Sequence, residues 1–176
     1  VKEERLSELA CDASERLFNH GGIDRQRIDF LLLCTQSPDY FLPTTACILQ
    51  DRLGLNKKIG ALDFNLGCSG FVYGLALAKG LIQSGSASNV LLLTAEMYSR
   101  YIHPMDKSAR TIFGDGAAAT FISGDRDSKE KIGEFFFGTD GRGAENLIVP
   151  AGGTALPKSS KTSIETVDDS GSIRTS

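Results

Sequence analysis

The 176 residues carry 41% hydrophobic and 23% charged side chains, the balance of a globular chain that is one domain or a piece of a larger one. A net charge of -3 and a sequence pI of about 5.4 leave no basic stripe for nucleic acid, and no apolar run reaches the ~18 residues of a membrane span. The opening Val1-Lys2-Glu3-Glu4-Arg5 is charged where a secretory leader would be basic and then apolar, so a cytoplasmic protein is expected.

In chain order, Leu6, Leu9, Ala10, Ala13, Leu17 and Phe18 recur at helical spacing and predict one apolar helix face over residues 3–18, stopped at Gly21-Gly22. Phe30-Leu31-Leu32-Leu33-Cys34 is an unbroken apolar run, the pattern of a strand buried on both faces. After a stretch with Pro38 and Pro43, a second helix is predicted from Thr44 to Leu53, with Pro43 suited to its start. Ala61 to Asn65 reads as a strand, and Gly67-Cys68-Ser69-Gly70 as a tight connection. The segment from there to Ser84 has Lys79 as its single charge, which predicts a helix apolar nearly all round and buried in the core.

Val90 to Ala95 is another buried strand, and residues 97–111 are polar, a loop with a helical turn. Ala117 to Ile122 and Gly133 to Phe137 look like two strands joined by the charged turn Gly124 to Lys129, a hairpin on an antiparallel edge. Helices alternating with apolar strands up to residue 95 predict an α/β fold with a mostly parallel sheet. The tail from Pro157 to Ser176 is rich in Ser, Thr, Lys and Asp and is expected to be mobile.

Cys11, Cys34, Cys47 and Cys68 contain no C-x-x-C pair, and with two histidines no metal site is expected. In a reducing compartment such thiols mostly pack as small hydrophobes. Cys68 differs by position, because it lies between a buried strand and a buried helix, with Gly67 and Gly70 allowing a sharp turn. First-turn amides and the positive helix end favour a thiolate there, and the thiolate is the nucleophile. The same amides suit an oxyanion formed on acylation. The competing reading is a small core residue in a glycine-rich turn. His20, at a helix end, and His103, in the polar loop, read as surface residues rather than as a base.

Asp63-Phe64-Asn65-Leu66-Gly67-Cys68-Ser69-Gly70-Phe71 resembles the nucleophile motif of the 3-oxoacyl-[acyl-carrier-protein] synthase III family. Ile112 to Ala119, with Gly114-Asp115-Gly116-Ala117, resembles that family's second signature, and Ser37 to Cys47 its loop before the second helix. Thr139-Asp140-Gly141 and Leu147 to Pro150 match more weakly. The resemblance covers residues 1–153. It implies a thiolase-like α/β fold, with a mixed, mostly parallel sheet and helices on both faces, as the first of two pseudo-duplicated halves. Residues 154–176 would then be a flexible tail or the start of a link to a second half.

The implied chemistry is transfer of an acyl group from acyl-coenzyme A to Cys68. Decarboxylating Claisen condensation with malonyl-acyl carrier protein follows, in fatty-acid initiation or related starter loading. Acyl-coenzyme A is a substrate here, and no further cofactor is implied. The Cys68 amide would be one oxyanion donor. A His and an Asn of the second half complete the family's site, so residues 1–176 alone are expected not to condense. Leu42, in a dimer loop, Tyr98 and Phe113 match substrate-binding positions, with ordinary packing as the alternative for Leu42 and a side chain turned to solvent as the alternative for Tyr98. Lys107 stands where the family often has an Arg that contacts coenzyme A, and it offers a point charge without the planar stacking surface, with a solvated loop lysine as the alternative. The resemblance implies that Asp115 organises the loop beneath the active site, with a tight turn in which Asp caps backbone amides as the alternative, and that Gly114 and Gly116 serve backbone geometry. A homodimer is implied.

Two other readings stay open. An α/β hydrolase with a cysteine elbow also sets its nucleophile between strand and helix, but position 66 is Leu where the G-x-S-x-G pattern has Gly, and no downstream histidine suits a triad. A non-catalytic subunit of a condensing-enzyme heterodimer would keep the fold without the reaction.

Overall fold

A computed structural model describes residues 4–125 and 130–175. The chain forms two compact units. The first comprises Val1–Glu96 and Gly116–Phe135, and the second Met97–Asp115 and Phe136–Ser176.

The first unit begins with α1, Leu6–Gly21, which ends on Gly22 in the left-handed region at φ 62°. Its buried stripe is Leu6, Ala10, Ser14 and Phe18, with Ser7 beside it, so the i, i+4 row rather than Leu9, Ala13 and Leu17 meets the core. The two serines are tolerated because their hydroxyls are bonded: Ser14 Oγ donates to Ala10 O at 2.7 Å, and Ser7 Oγ accepts from Arg52 Nη1 at 2.7 Å.

A four-stranded sheet follows, in the order β2-β1-β3-β4: β1 Phe30–Cys34, β2 Gly60–Phe64, β3 Asn89–Met97 and β4 Asp115–Ser123. β1 pairs in parallel with both β2 and β3, Leu32 standing between Leu62 and Leu92. Ser123 Oγ donates to Asn89 Oδ1 and Gly124 N to Ser88 O, so the end of β4 meets the start of β3 and that strand runs antiparallel. Period-two alternation gives the sheet two apolar faces. Leu32, Val90, Leu92 and Ile122 form one core with Ala78 of α3, Gly70–Gln83. On the other face α2, Thr45–Arg52, packs on β1 and β2, and α1 packs on α2.

Two predicted features are corrected. α3 is not buried all round: it turns Gly70, Gly74 and Ala78 inward and leaves Phe71, Val72 and Leu77 exposed. Small residues let it lie close, since a Cβ on Gly74 would sit 2.6 Å from a Leu92 methyl. The predicted strand Gly133 to Phe137 is irregular chain, with Phe136 89% exposed. The segment joins neither the four-stranded sheet nor the small hairpin. Its expected turn falls partly on residues 126–129, outside the described residues.

The second unit holds short 3-10 turns at Tyr98–Arg100 and Gly141–Asn146, and a small antiparallel hairpin of β5, Thr166–Val167, and β6, Ile173–Arg174. The hairpin lies within the polar tail. Asp168 closes its turn by accepting from the amides of Ser170 and Ser172 and from Ser170 Oγ. Polar local bonds supply there what apolar burial cannot. No helix among the described residues is long and apolar enough to cross a membrane.

Candidate active site

β2 delivers the chain into Asn65 to Ser69, and α3 starts at Gly70. Gly70 N donates to Gly67 O at 2.8 Å, and Val72 and Tyr73 donate to Ser69 O, which closes a tight turn around Cys68. The side chain of Ser69, the residue before the helix, makes no capping bond. Among the described residues the amides of Cys68 and Ser69 meet no acceptor in the protein. Unbonded amides at a helix start are a ready hydrogen-bond source for a negative atom.

Cys68 is exposed and lines an open cavity of about 350 Å³ in the first unit. The walls come from the C-terminal ends of the parallel strands and the start of β4: Cys34, Leu66, Thr94, Glu96 and Gly116 to Ala118, with Phe71 from α3. Crevices at the carboxyl ends of parallel strands are where open α/β sheets bind ligands. An exposed thiol beside unbonded amides has the parts for covalent acyl transfer: a nucleophile and an oxyanion donor within one turn. No histidine is among the lining residues. His20 caps its own helix through Arg16 O, and His103 pairs with Glu165 at 3.0 Å in the second unit.

Two wall residues escaped the sequence reading. Glu96 accepts from Gln36 N and from Ser37 Oγ, both at 2.8 Å, and so fastens the loop that follows β1. Burial pushes its carboxyl up from the usual range, with the Ser37 and Gln36 bonds opposing. One charge ending the run Val90-Leu91-Leu92-Leu93-Thr94-Ala95 was the available signal. Cys34 looks like part of an apolar strand in the sequence, yet it lines the same cavity. Asp63, across the sheet from that cavity's floor, accepts from Thr45 N and Ala46 N at 2.7 Å each and thereby starts α2. Burial raises its carboxyl as well, partly offset by those two bonds.

Gly70 is required for space and not for an unusual backbone angle. An ideal Cβ there would stand 2.2 Å from Cys34 Sγ, whereas Gly70 is absent from the positive-φ glycines. No non-glycine residue among the described ones has positive φ, so Cys68 does not occupy the strained elbow of a hydrolase nucleophile.

The remaining sequence-predicted positions scatter. Leu42 is 87% exposed, beside an equally exposed Phe41, and so is not a core residue of this chain. Tyr98 and Phe113 are brought together in the second unit, edge to face with centroids 5.3 Å apart. Lys107 is exposed and, with Arg110 and Met105, lines a second cavity of about 360 Å³ in that unit. Asp115 accepts from Ser99 N at 2.9 Å and so ties down the turn after β3. Neither Gly114 nor Gly116 has positive φ or a neighbour that a Cβ would strike, and nothing in the structure explains why they are glycine.

Residues 62–141 match the family model of 3-oxoacyl-[acyl-carrier-protein (ACP)] synthase III. A beta-ketoacyl-[acyl-carrier-protein] synthase III of Sulfurovum sp. (strain NBC37-1) is 39% identical over 160 residues, which are 90% of this chain and 47% of that protein. One from Caldanaerobacter subterraneus subsp. tengcongensis is 38% identical over 169 residues, 92% of this chain and 50% of that protein. A 2.1 Å crystal structure of a 3-oxoacyl-(acyl-carrier-protein) synthase III superposes with a TM-score of 0.95 at 56% identity, covering 98% of this chain and 51% of that one. The chain spans about half the length of the curated relatives it matches.

Proposed function

The chain belongs to the 3-oxoacyl-[acyl-carrier-protein] synthase III family, and from that premise we propose that Cys68 is the acyl acceptor of a condensing enzyme. The observation that carries this is the exposed Cys68 at the start of α3, beside two amides with no protein acceptor among the described residues. In the proposed reaction the Cys68 thiolate attacks the carbonyl of an acyl-coenzyme A. The carbon–sulfur bond to the coenzyme breaks, and the coenzyme leaves as its thiol. Malonyl-acyl carrier protein then loses carbon dioxide, and the resulting carbanion attacks the acyl-cysteine and releases the thiol. The Cys68 amide would hold the oxyanion in both addition steps.

Leu42, Tyr98 and Phe113 are proposed to shape the acyl site, and Lys107 to meet a phosphate of the carrier as a point charge. The exposed Phe41-Leu42 pair supports a homodimer contact, since apolar side chains that open to water favour cover. A cytoplasmic location, no cofactor beyond the acyl-coenzyme A substrate, and inability of residues 1–176 alone to condense belong to the same proposal.

The test is turnover by the full-length protein. With acyl-coenzyme A and malonyl-acyl carrier protein, a 3-oxoacyl product is expected, and Cys68→Ala abolishes it. Release of free fatty acid without carrier protein would point to a hydrolase, and failure to bind covalently to a non-catalytic subunit.

A further inference from the structure

Cys34 ends β1 in register with Phe64, the last residue of β2, and its side chain lies on the α3 side of the sheet. It is 3% exposed, and Cys34 Sγ donates to Leu66 O at 3.1 Å. Leu66 lies two residues before Cys68. Two residues after it, Gly70 lies against the same sulfur with no room for a Cβ. One buried sulfur thus touches the chain on both sides of the exposed cysteine.

We propose that Cys34 is a positioning residue for Cys68, holding the turn from Leu66 to Gly70 in place through its thiol hydrogen bond and its contact with Gly70. The inference rests on the acyl-acceptor reading of Cys68 and extends it to a second cysteine. A serine would keep the donor on a shorter bond, and an alanine would remove both donor and bulk. Burial also pushes the Cys34 thiol up to about 11, with its bond to Leu66 O opposing. At neutral pH it therefore stays a neutral donor and does not compete for the acyl group, although it lines the same cavity.

The experiment compares the full-length protein with its Cys34→Ala and Cys34→Ser variants. Each is treated with iodoacetamide, and alkylation of the Cys68 and Cys47 peptides is followed by mass spectrometry. Cys47, exposed on α2, is the internal reference. Each is also given acyl-coenzyme A. In Cys34→Ala the Cys68 to Cys47 ratio of alkylation rates is expected to change about three- to tenfold, the scale of one lost hydrogen bond. Acyl loading is expected to slow by a similar factor at unchanged KM, and Cys34→Ser restores most of both. Equal ratios and equal loading in all three proteins overturn the inference. Should Cys34→Ala fail to fold, Cys34→Val, which keeps bulk but no donor, decides: an about three- to tenfold change of the ratio agrees with the role, and a ratio within about twofold of the native one overturns it. If the native protein takes no acyl group while the ratio still follows Cys34, the positioning role stands and the acyl-acceptor reading falls.

Discussion

Leucines hold the first unit together, and aspartates organise the second. Leu31, Leu32, Leu33, Leu91, Leu92 and Leu93 are all 1% exposed or less, and both faces of the sheet they build are covered by helices. In the second unit the buried residues include Asp106, Thr162 and Ser172, while Leu147, Ile148 and Val149 are all more than half exposed. Asp106 gathers Ser108 N, Ala109 N and Ser108 Oγ, and Asp140 and Asp168 close turns in the same way. Apolar burial joins residues far apart in sequence, whereas Asp106, Asp140 and Asp168 bond amides within a few residues, with Arg174 a more distant partner shared by Asp106 and Asp168. The first kind of bonding fixes a cavity wall; the second fixes a turn.

The strongest challenge to that contrast is Leu92→Ala, which removes side-chain atoms shared by β1, β3 and α3. A loss of about 2–5 kcal/mol is expected in urea unfolding of the first unit, and a loss below 1 kcal/mol would mean that the leucine block is not its core. Gly70→Ala comes next, at about 1–3 kcal/mol for the overlap with Cys34 Sγ. Adding Cys34→Ala should recover part of that loss, a coupling read from the double-mutant cycle. Asp63→Ala sharpens the comparison further, because this carboxylate belongs to the first unit and reaches back across the chain to Thr45 N and Ala46 N. The expected cost is about 1 kcal/mol, from two helix-start amides left without their acceptor. The smallest effect is Asp168→Asn, which should speed amide exchange at Ser170 and Ser172 and leave the melting temperature unchanged.

Acidification should separate the two regions as well. Ala109 N and Ser108 Oγ hold the Asp106 carboxyl below the usual range, and Ser170 Oγ followed by Ser172 N does the same for Asp168. A depressed carboxylate stabilises above its ordinary pKa, and that contribution is lost as pH falls through the folded value. Burial raises Asp63 and Glu96, so their ionised forms are the costly ones, and that cost disappears as pH falls through the raised values. Protection factors, corrected for intrinsic exchange, should fall with acid at Ser108, Ala109, Ser170 and Ser172 before they fall in β1 and β3. Loss in the reverse order would break the comparison.

The contrast also explains what could be read from the sequence. The runs Phe30 to Cys34 and Val90 to Ala95 announce buried strands because nothing polar interrupts them, and Cys68 stands out by lying between a strand and a helix. Phe135 to Phe137 looks equally strand-like, yet strand formation depends on a pairing partner that local pattern does not encode. α3 reads as buried all round because its composition hides which residues are small enough to meet the sheet. Cys34 is invisible for a related reason: within an apolar run a thiol looks like one more hydrophobe, and its bond to Leu66 O depends on the register of β1 with β2. The hairpin at Thr166 to Arg174 is missed because its order comes from Asp168 and not from apolar residues.

The acyl-acceptor claim is tested most directly by mapping where the acyl group goes. Full-length protein is incubated with acyl-coenzyme A, digested, and its cysteine peptides weighed. The thioester mass is expected on the peptide containing Cys68 and on none of those with Cys11, Cys34 or Cys47, and it disappears in Cys68→Ala. An adduct on another cysteine, or one that persists in that variant, would contradict the assignment.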